Sequence, residues 1–499
     1  MRAQLLWKPH ADFDLRLAAD YGDIHTNPAS VLLQAADSYI TAANKVGSYP
    51  LVGGVNVDIE SYTDLKQGGV SATANWRLDG GYNLRSTTSA RYFGYKPVIA
   101  DNYDVALYSN QGTSYRDRIW QQEIRLDSPR GEKFDYAIGA IYWGENLDTY
   151  VRNAYTGNSL NGSGYVNRVV ERTGTLDDRV FSLFAQGTWH LGSRLELTAG
   201  LRLSQERKAG SFVRVGRAGF SSDLVQTRVL PAGLVSLNYW LQPDVQAYAT
   251  VGYGEKSGGL NISSGAANAA GRDTLYVDPE SARSAEVGLK GTWLDQRLTA
   301  GVALFWSEIR NFQASAYDEV SDSSYLTNAG TVRSRGVSSN VRFRPAEGWT
   351  LGLASTLLDA SYLSYENGSC PPENGATSCS HTGERTLRSP RIAYNVSSRY
   401  EWNIASAGGL GAFVQGRWSY RSWVYSTVDN SNYTRIPGYG LLSLSTGVNG
   451  RHADNRWSLT LSLSNALDKR YYRVLRGGPT VFGTLGTPRT LSASFRYDF

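Results

Sequence analysis

The last ten residues of the chain, Thr490 to Phe499 (TLSASFRYDF), set Leu491, Ala493, Phe495, Tyr497 and Phe499 against Ser492, Ser494, Arg496 and Asp498. A period of two gives a strand with one apolar and one polar face. A strand that ends a chain must still pair both edges, and a closed barrel achieves that. Inside a bilayer closure is compulsory, because no water reaches the hydrocarbon to satisfy an open edge. The pattern therefore predicts an all-β transmembrane antiparallel barrel, apolar toward lipid and polar toward the lumen.

The same alternation recurs upstream in pairs. Arg456 to Asn465 and Leu441 to Val448 flank the turn NGRHADN. Ala282 to Leu294 turns at Asp295 and Gln296 into Arg297 to Ile309, with an outward set of Val287, Leu289, Trp293, Leu298, Val302, Leu304 and Trp306. Arg179 to Leu191 turns at Gly192 and Ser193 into Arg194 to Gln205, and Arg228 to Leu241 turns at QPD into Val245 to Glu255. Arg333 to Pro345 turns at AEG into Trp349 to Leu363. Gly, Asp, Asn or Pro at each tight turn reads as an antiparallel hairpin. Long polar segments, such as Ser257 to Asp278 and Tyr362 to Thr386, separate the hairpins. Short and long connections taking turns match an outer-membrane barrel, which keeps its periplasmic turns short and its outer loops long.

Composition agrees: 12% aromatic residues with 32 Tyr, 13 Trp and 52 Gly favour strands. The 499 residues show no Pro/Ser linker or charge block, so 1–499 reads as one barrel domain. A net charge of +5 spread along the chain gives no basic patch for nucleic acid. The start, MRAQLLWKPHADF, lacks the basic, apolar and small-residue order of an export signal. Counting strands back from the C-terminus to Arg2–Pro9 gives about 19, an odd number where bacterial single-chain barrels are even. Three missing strands of a barrel of roughly 22, a size whose lumen needs a plug, restore the parity.

WQQEIRLDSPRGEKFDYAIGAIYW (Trp120 to Trp143), AYATVGYGEKSGGLN (Ala247 to Asn261), DPESARSAEVGLKGTWLDQRLTAGVALFWSEIRNFQ (Asp278 to Gln313), NAGTVRSRGV (Asn328 to Val337) and NALDKRYY (Asn465 to Tyr472), closed by Phe499, stand in this order. This series resembles the TonB-dependent outer-membrane receptors, importers of ferric siderophores, cobalamin and some carbohydrates. The resemblance implies a barrel in the outer membrane of a Gram-negative bacterium, delivered by the barrel-assembly machinery through its terminal aromatic Phe499. It also implies a plug and a TonB-contacting segment ahead of the barrel; both are expected to be missing from this chain, which is then expected not to couple to TonB alone. Ser338 stands where many members carry Glu. Glu286 and Lys290 are expected as inward charges on one strand.

Cys370 and Cys379 in SCPPENGATSCSH are expected to form a disulfide, closing a loop in an oxidising compartment and stabilising it by up to about 3 kcal/mol. The alternative, two thiols with His381 as metal ligands, lacks a fourth ligand nearby. His10, His25, His190, His381 and His452 are dispersed, and the chain contains no nucleophile elbow or phosphate loop, so neither enzyme activity nor a cofactor is expected. Ligand capture falls to outer loops and upper lumen, where Tyr, Trp and Arg supply stacking faces and donors for an anionic chelate. The candidates are Tyr253, Lys256, Asn261, Tyr276, Arg421, Trp423, Tyr425, Arg473 and Arg476. Among cargoes the resemblance favours the ferric siderophore. A passive porin and a soluble all-β carbohydrate-binding protein are the competing readings.

Overall fold

The computed structural model describes residues 1–26, 32–34, 62–100, 107–131, 133–156, 168–215, 220–261, 275–318, 323–374, 376, 378–404, 409–452, 455–476 and 481–498. One sheet of 19 strands dominates it. The strands are β1 (Arg2–His10), β2 (Phe13–Thr26), β3 (Tyr62–Arg77), β4 (Asn83–Ala100), β5 (Leu107–Asp127), β6 (Phe134–Thr156), β7 (Arg168–His190), β8 (Leu195–Val215) and β9 (Phe220–Gln242). The second half comprises β10 (Val245–Lys256), β11 (Glu280–Trp293), β12 (Leu298–Arg310), β13 (Gly330–Ala346), β14 (Trp349–Tyr365), β15 (Ile392–Ile404), β16 (Leu410–Arg421), β17 (Tyr439–His452), β18 (Asn455–Ser464) and β19 (Thr490–Asp498). Each is antiparallel to the next in chain order, an up-and-down meander.

Cross-strand partners share a face, so the registers sort side chains into an outer and an inner set. On the outer face Trp120, Ile124, Ile138, Tyr142, Phe181 and Leu183 stand exposed on neighbouring strands. Phe134 and Trp189 meet there at 4.8 Å near the short turns, and Trp120 and Tyr142 at 5.3 Å nearer the long loops. Two aromatic belts thus bound an apolar band, the exterior of a membrane barrel. The inner face is polar: Arg91 contacts Asp20 at 3.0 Å, Ser182 donates to Ser204 at 2.8 Å, and Tyr248 donates to Glu286 at 2.6 Å with Lys290 over its ring.

The structure corrects the sequence reading in three places. The terminal strand pairs on one edge only: among the described residues β19 bonds to β18 and β1 to β2, and every residue of both is exposed. The reason is parity, because in an odd antiparallel meander the first and last strands run the same way and cannot close antiparallel. Second, the strands run further into NGRHADN than the turn reading placed them, β17 continuing to His452 and β18 resuming at Asn455. Third, several strands outrun their apolar stretch, β7 beginning at Arg168 rather than Arg179 and β8 reaching Val215 rather than Gln205. Beyond the membrane the wall continues, but its outward residues no longer need to be apolar. Phe499 lies outside the described residues.

Candidate functional site

Three long connections at the loop end pack into one polar-rimmed cluster. Glu366 to Arg391 follows β14, Ser422 to Gly438 joins β16 to β17, and Asn465 to Arg489 joins β18 to β19. In the first, Cys370 and Cys379 are joined, with Cα atoms 5.0 Å apart. His381, 1% exposed, locks the same loop: one ring nitrogen lies 2.9 Å from Glu384 Oε2 and the other 2.8 Å from Ser369 O. The second connection pairs Val424–Tyr425 with Arg435–Ile436, and the third pairs Tyr472–Arg476 with Val481–Leu485. Val424, Ile436 and Leu475 then bury one another, with Tyr439 and Tyr472 packed alongside. Polar ties align the loops, as Glu373 accepts from Ser431 Oγ at 2.8 Å and from Asn432 N at 2.6 Å, and Ser426 Oγ accepts from Leu475 N at 2.9 Å.

On this platform the guanidiniums and aromatic rings interleave. Trp423 carries both Arg385 and Arg435 against its ring, their Cζ atoms 4.3 and 4.1 Å from its centroid. Tyr425 meets Trp423 edge-on at 5.3 Å. Arg421, the last residue of β16, pairs with Tyr439, and its Cζ lies 4.6 Å over that ring; Tyr439 in turn contacts Tyr471 at 4.4 Å. Burial first, then neighbouring Arg391, holds the Arg385 guanidinium below its ordinary pKa. Arg385 Nη1 and Arg421 Nε and Nη2 are buried without a hydrogen-bond partner among the described residues. A buried charged donor left unpaired is costly, about 1–3 kcal/mol or more, and an anion supplying acceptor oxygens removes that cost.

Of the residues read from sequence, Arg421, Trp423 and Tyr425 meet here. Arg473 is exposed and near enough to Tyr439 to act on it electrostatically; Arg476 ends a strand of the third loop, and its side chain lies outside the described residues. The other four belong to a second loop group, six strands away along the wall. There Tyr253 donates to Glu255, and Lys256 Nζ lies 3.4 Å from Glu280 Oε1. Asn261, 7% exposed, spends both ends of its amide on Leu326, donating to its O at 3.0 Å and accepting from its N at 2.9 Å. Tyr276 is 40% exposed beside the short pair Gly259–Leu260. Sequence reading missed Arg385, Arg435, Tyr439 and Tyr471, which come from segments whose closeness no local pattern announces. Among the described residues no group of three or more His, Cys, Asp or Glu is placed to hold a metal ion.

Residues 6–466 match the family described as TonB dependent receptor-like, beta-barrel. The pesticin receptor of Yersinia pestis is 25% identical over 345 residues, which are 66% of this chain and 45% of that protein. The ferric-pyoverdine 358 receptor of Pseudomonas putida is 26% identical over 339 residues, 65% of this chain and 36% of that receptor. The chain thus spans less than half the length of these curated relatives. Among solved structures, the ferric yersiniabactin uptake receptor of Yersinia pestis superposes with a TM-score of 0.77 at 16% identity, over 100% of this chain and 70% of that one. The siderophore receptor PiuA of Acinetobacter baumannii gives 0.75 at 15% identity, over 100% and 73%.

Proposed function

This chain belongs to the TonB-dependent receptor-like β-barrel family, and on that premise we propose that it forms the wall of an outer-membrane receptor importing a scarce anionic chelate, a ferric siderophore. One observation carries the reading. Arg385, Arg421 and Arg435 converge on Trp423 and Tyr439 at the loop end, with buried guanidinium donors that await acceptor oxygens. The names of its relatives, ferric-pyoverdine and ferric yersiniabactin receptors, support that cargo class. Coupling to TonB is proposed for the whole receptor of which this chain supplies the barrel.

Uptake of radioiron-labelled siderophores by cells carrying the complete gene, with and without TonB, tests the proposal. Import is expected only with TonB. Substituting Arg385→Gln and Arg435→Gln together is expected to lower it at least tenfold, each hydrogen bond to a charged group being worth about 1.5–3 kcal/mol. Entry that continues without TonB would identify a passive pore instead.

A further inference from the structure

The two cations on Trp423 come from different loops, Arg385 from the connection after β14 and Arg435 from the one between β16 and β17. Two guanidiniums drawn to one ring repel each other, so the ring alone does not fix their places. Arg435 takes its place through a short chain of hydrogen bonds. It directly follows a single 3-10 turn, Asn432–Thr434, capped by Ser431, and its N–H closes that turn on Asn432 O. Ser431 and Thr434 are fully buried. Ser431 Oγ accepts from Tyr433 N at 3.2 Å, and Ser431 O accepts from Thr434 N at 3.2 Å and from Thr434 Oγ1 at 3.1 Å.

One carboxylate of the other loop grips this turn. Glu373 Oε2 accepts from Ser431 Oγ at 2.8 Å and Glu373 Oε1 from Asn432 N at 2.6 Å, so each oxygen holds one donor. Glu373 lies between the joined Cys370 and Cys379, in a ring pinned by two backbone bonds between Gly368 and Cys379, of 2.8 and 2.9 Å. Beside it Asn374 N donates to Pro371 O at 2.9 Å, and Asn374 Nδ2 donates to Cys379 Sγ at 3.2 Å. The disulfide thus presents the carboxylate on a closed ring. A second tie reaches the other cation, as Asn430 Nδ2 donates to Glu384 Oε2 at 2.8 Å and to Arg385 O at 3.0 Å.

A carboxylate repels an anionic chelate, so direct contact with cargo gives no reason for an acid here; its two bonds do. We propose that Glu373 is a positioning residue which, held by the Cys370–Cys379 ring, clamps the Asn432–Thr434 turn and keeps Arg435 against Trp423 in the geometry that receives the chelate. The inference rests on the cargo reading above and adds the group that keeps that site assembled. With the clamp released, apparent affinity falls in proportion to the time the site spends assembled.

Charge and position pull in opposite directions. Removing a negative charge near an anion site tightens binding by electrostatics, whereas losing the clamp weakens it. The complete receptor, purified in detergent, is titrated with a ferric tris-catecholate as the anionic probe. Glu373→Ala is expected to weaken binding about tenfold, the factor set by one hydrogen bond to a charged group. Glu373→Gln keeps an acceptor for Asn432 N and a donor for Ser431 Oγ, and is expected to stay within about twofold of the parent. Cys370→Ala with Cys379→Ala, which opens the ring and leaves Glu373 in place, is expected to weaken binding as Glu373→Ala does. In an Arg435→Gln background Glu373→Ala is expected to add less than about twofold, because it acts through Arg435. Tighter binding by Glu373→Ala, equal losses for Ala and Gln, unchanged affinity in the opened ring, or an undiminished loss in the Arg435→Gln background overturns the proposal. Amide exchange decides the clamp without cargo. Residues 432–435 should exchange faster in Glu373→Ala and not in Glu373→Gln, with the wall strands unchanged as the control for folding. Exchange unaltered by Glu373→Ala overturns the clamp whether or not the probe binds, whereas a parent receptor that shows the exchange pattern but does not bind the probe removes this cargo class and leaves the clamp.

Discussion

Trp423 is the residue on which the candidate site turns. Its ring contacts both the Arg385 and Arg435 guanidiniums, each within 4.3 Å of its centroid. Each such contact is worth about 0.5–2 kcal/mol. Trp423→Leu removes the ring that both cations contact and leaves two guanidiniums without it, so the affinity for an anionic chelate is expected to fall about fivefold or more, while Trp423→Phe retains most of it. Titration of the purified complete receptor with ferric siderophore measures the difference, and equal losses for Leu and Phe would show that the ring is not what matters. Glu366 governs the neighbouring loop differently. It accepts from Thr382 Oγ1 at 2.7 Å and Ser380 Oγ at 3.0 Å, and those bonds hold its carboxyl below the ordinary range. A depressed folded pKa contributes stability above the unfolded value and loses it as pH falls through the folded one. Proteolysis of the Glu366–Arg391 segment is therefore expected to accelerate on acidification below about pH 4. Glu366→Gln should flatten that dependence, and an unchanged acid response in the variant would assign it elsewhere.

At the scale of elements, hairpins were legible where lipid imposes alternation and illegible where it does not. Ala282–Ile309 was readable because Val287, Leu289, Val302 and Leu304 must all face outward, and the register confirms it by pairing Val287 with Leu304 and Leu289 with Val302. Arg168 to Asp178 was not readable, since above the belt β7 is free to carry polar residues on both faces. The site divides the same way: Arg421, Trp423 and Tyr425 lie close in sequence, whereas Arg385, Arg435 and Tyr471 reach them only through loop packing that leaves no periodic trace. Packing of that kind also depends on single backbone positions. Gly330 opens β13 at φ 135°, where a Cβ would collide with Ser364 O, and its own carbonyl accepts from Phe312 N at 2.8 Å. It seats the small core of Ala314, Ala329, Val332, Tyr362 and Tyr365. Gly330→Val is expected to cost about 1–3 kcal/mol in backbone strain. That loss should appear as faster amide exchange confined to the loop ends of β13 and β14, with the membrane-level ladder unchanged. Exchange that rises evenly along both strands would contradict a local origin.

For the molecule as a whole, the decisive quantity is the number of wall strands. The nineteen antiparallel wall strands of the described residues leave β1 and β19 running the same way, each with one ladder among those residues. The other edge of each carries no ladder among the described residues, so its backbone donors and acceptors have no strand partner there, and Leu5, Leu6 and Trp7 on one strand and Leu491 and Phe495 on the other are all more than half exposed. Neither lipid nor a lone hydrophobic contact can satisfy those groups, because hydrocarbon offers no hydrogen bonds. Central strands are in the opposite condition: β7 pairs with β6 and β8 along nearly its whole length. Opening free energy should therefore climb from the two seam strands toward β6, β7 and β8, as local stability follows the density of satisfied backbone bonds. Hydrogen exchange of this chain in detergent is expected to show β1 and β19 exchanging orders of magnitude faster than β7. In the complete receptor the same two strands should become protected, provided that further strands of the whole protein pair with them. Protection of β1 and β19 already equal to β7 in this chain alone would mean that the seam is closed, by a second copy or a parallel pairing, and would overturn the open arrangement.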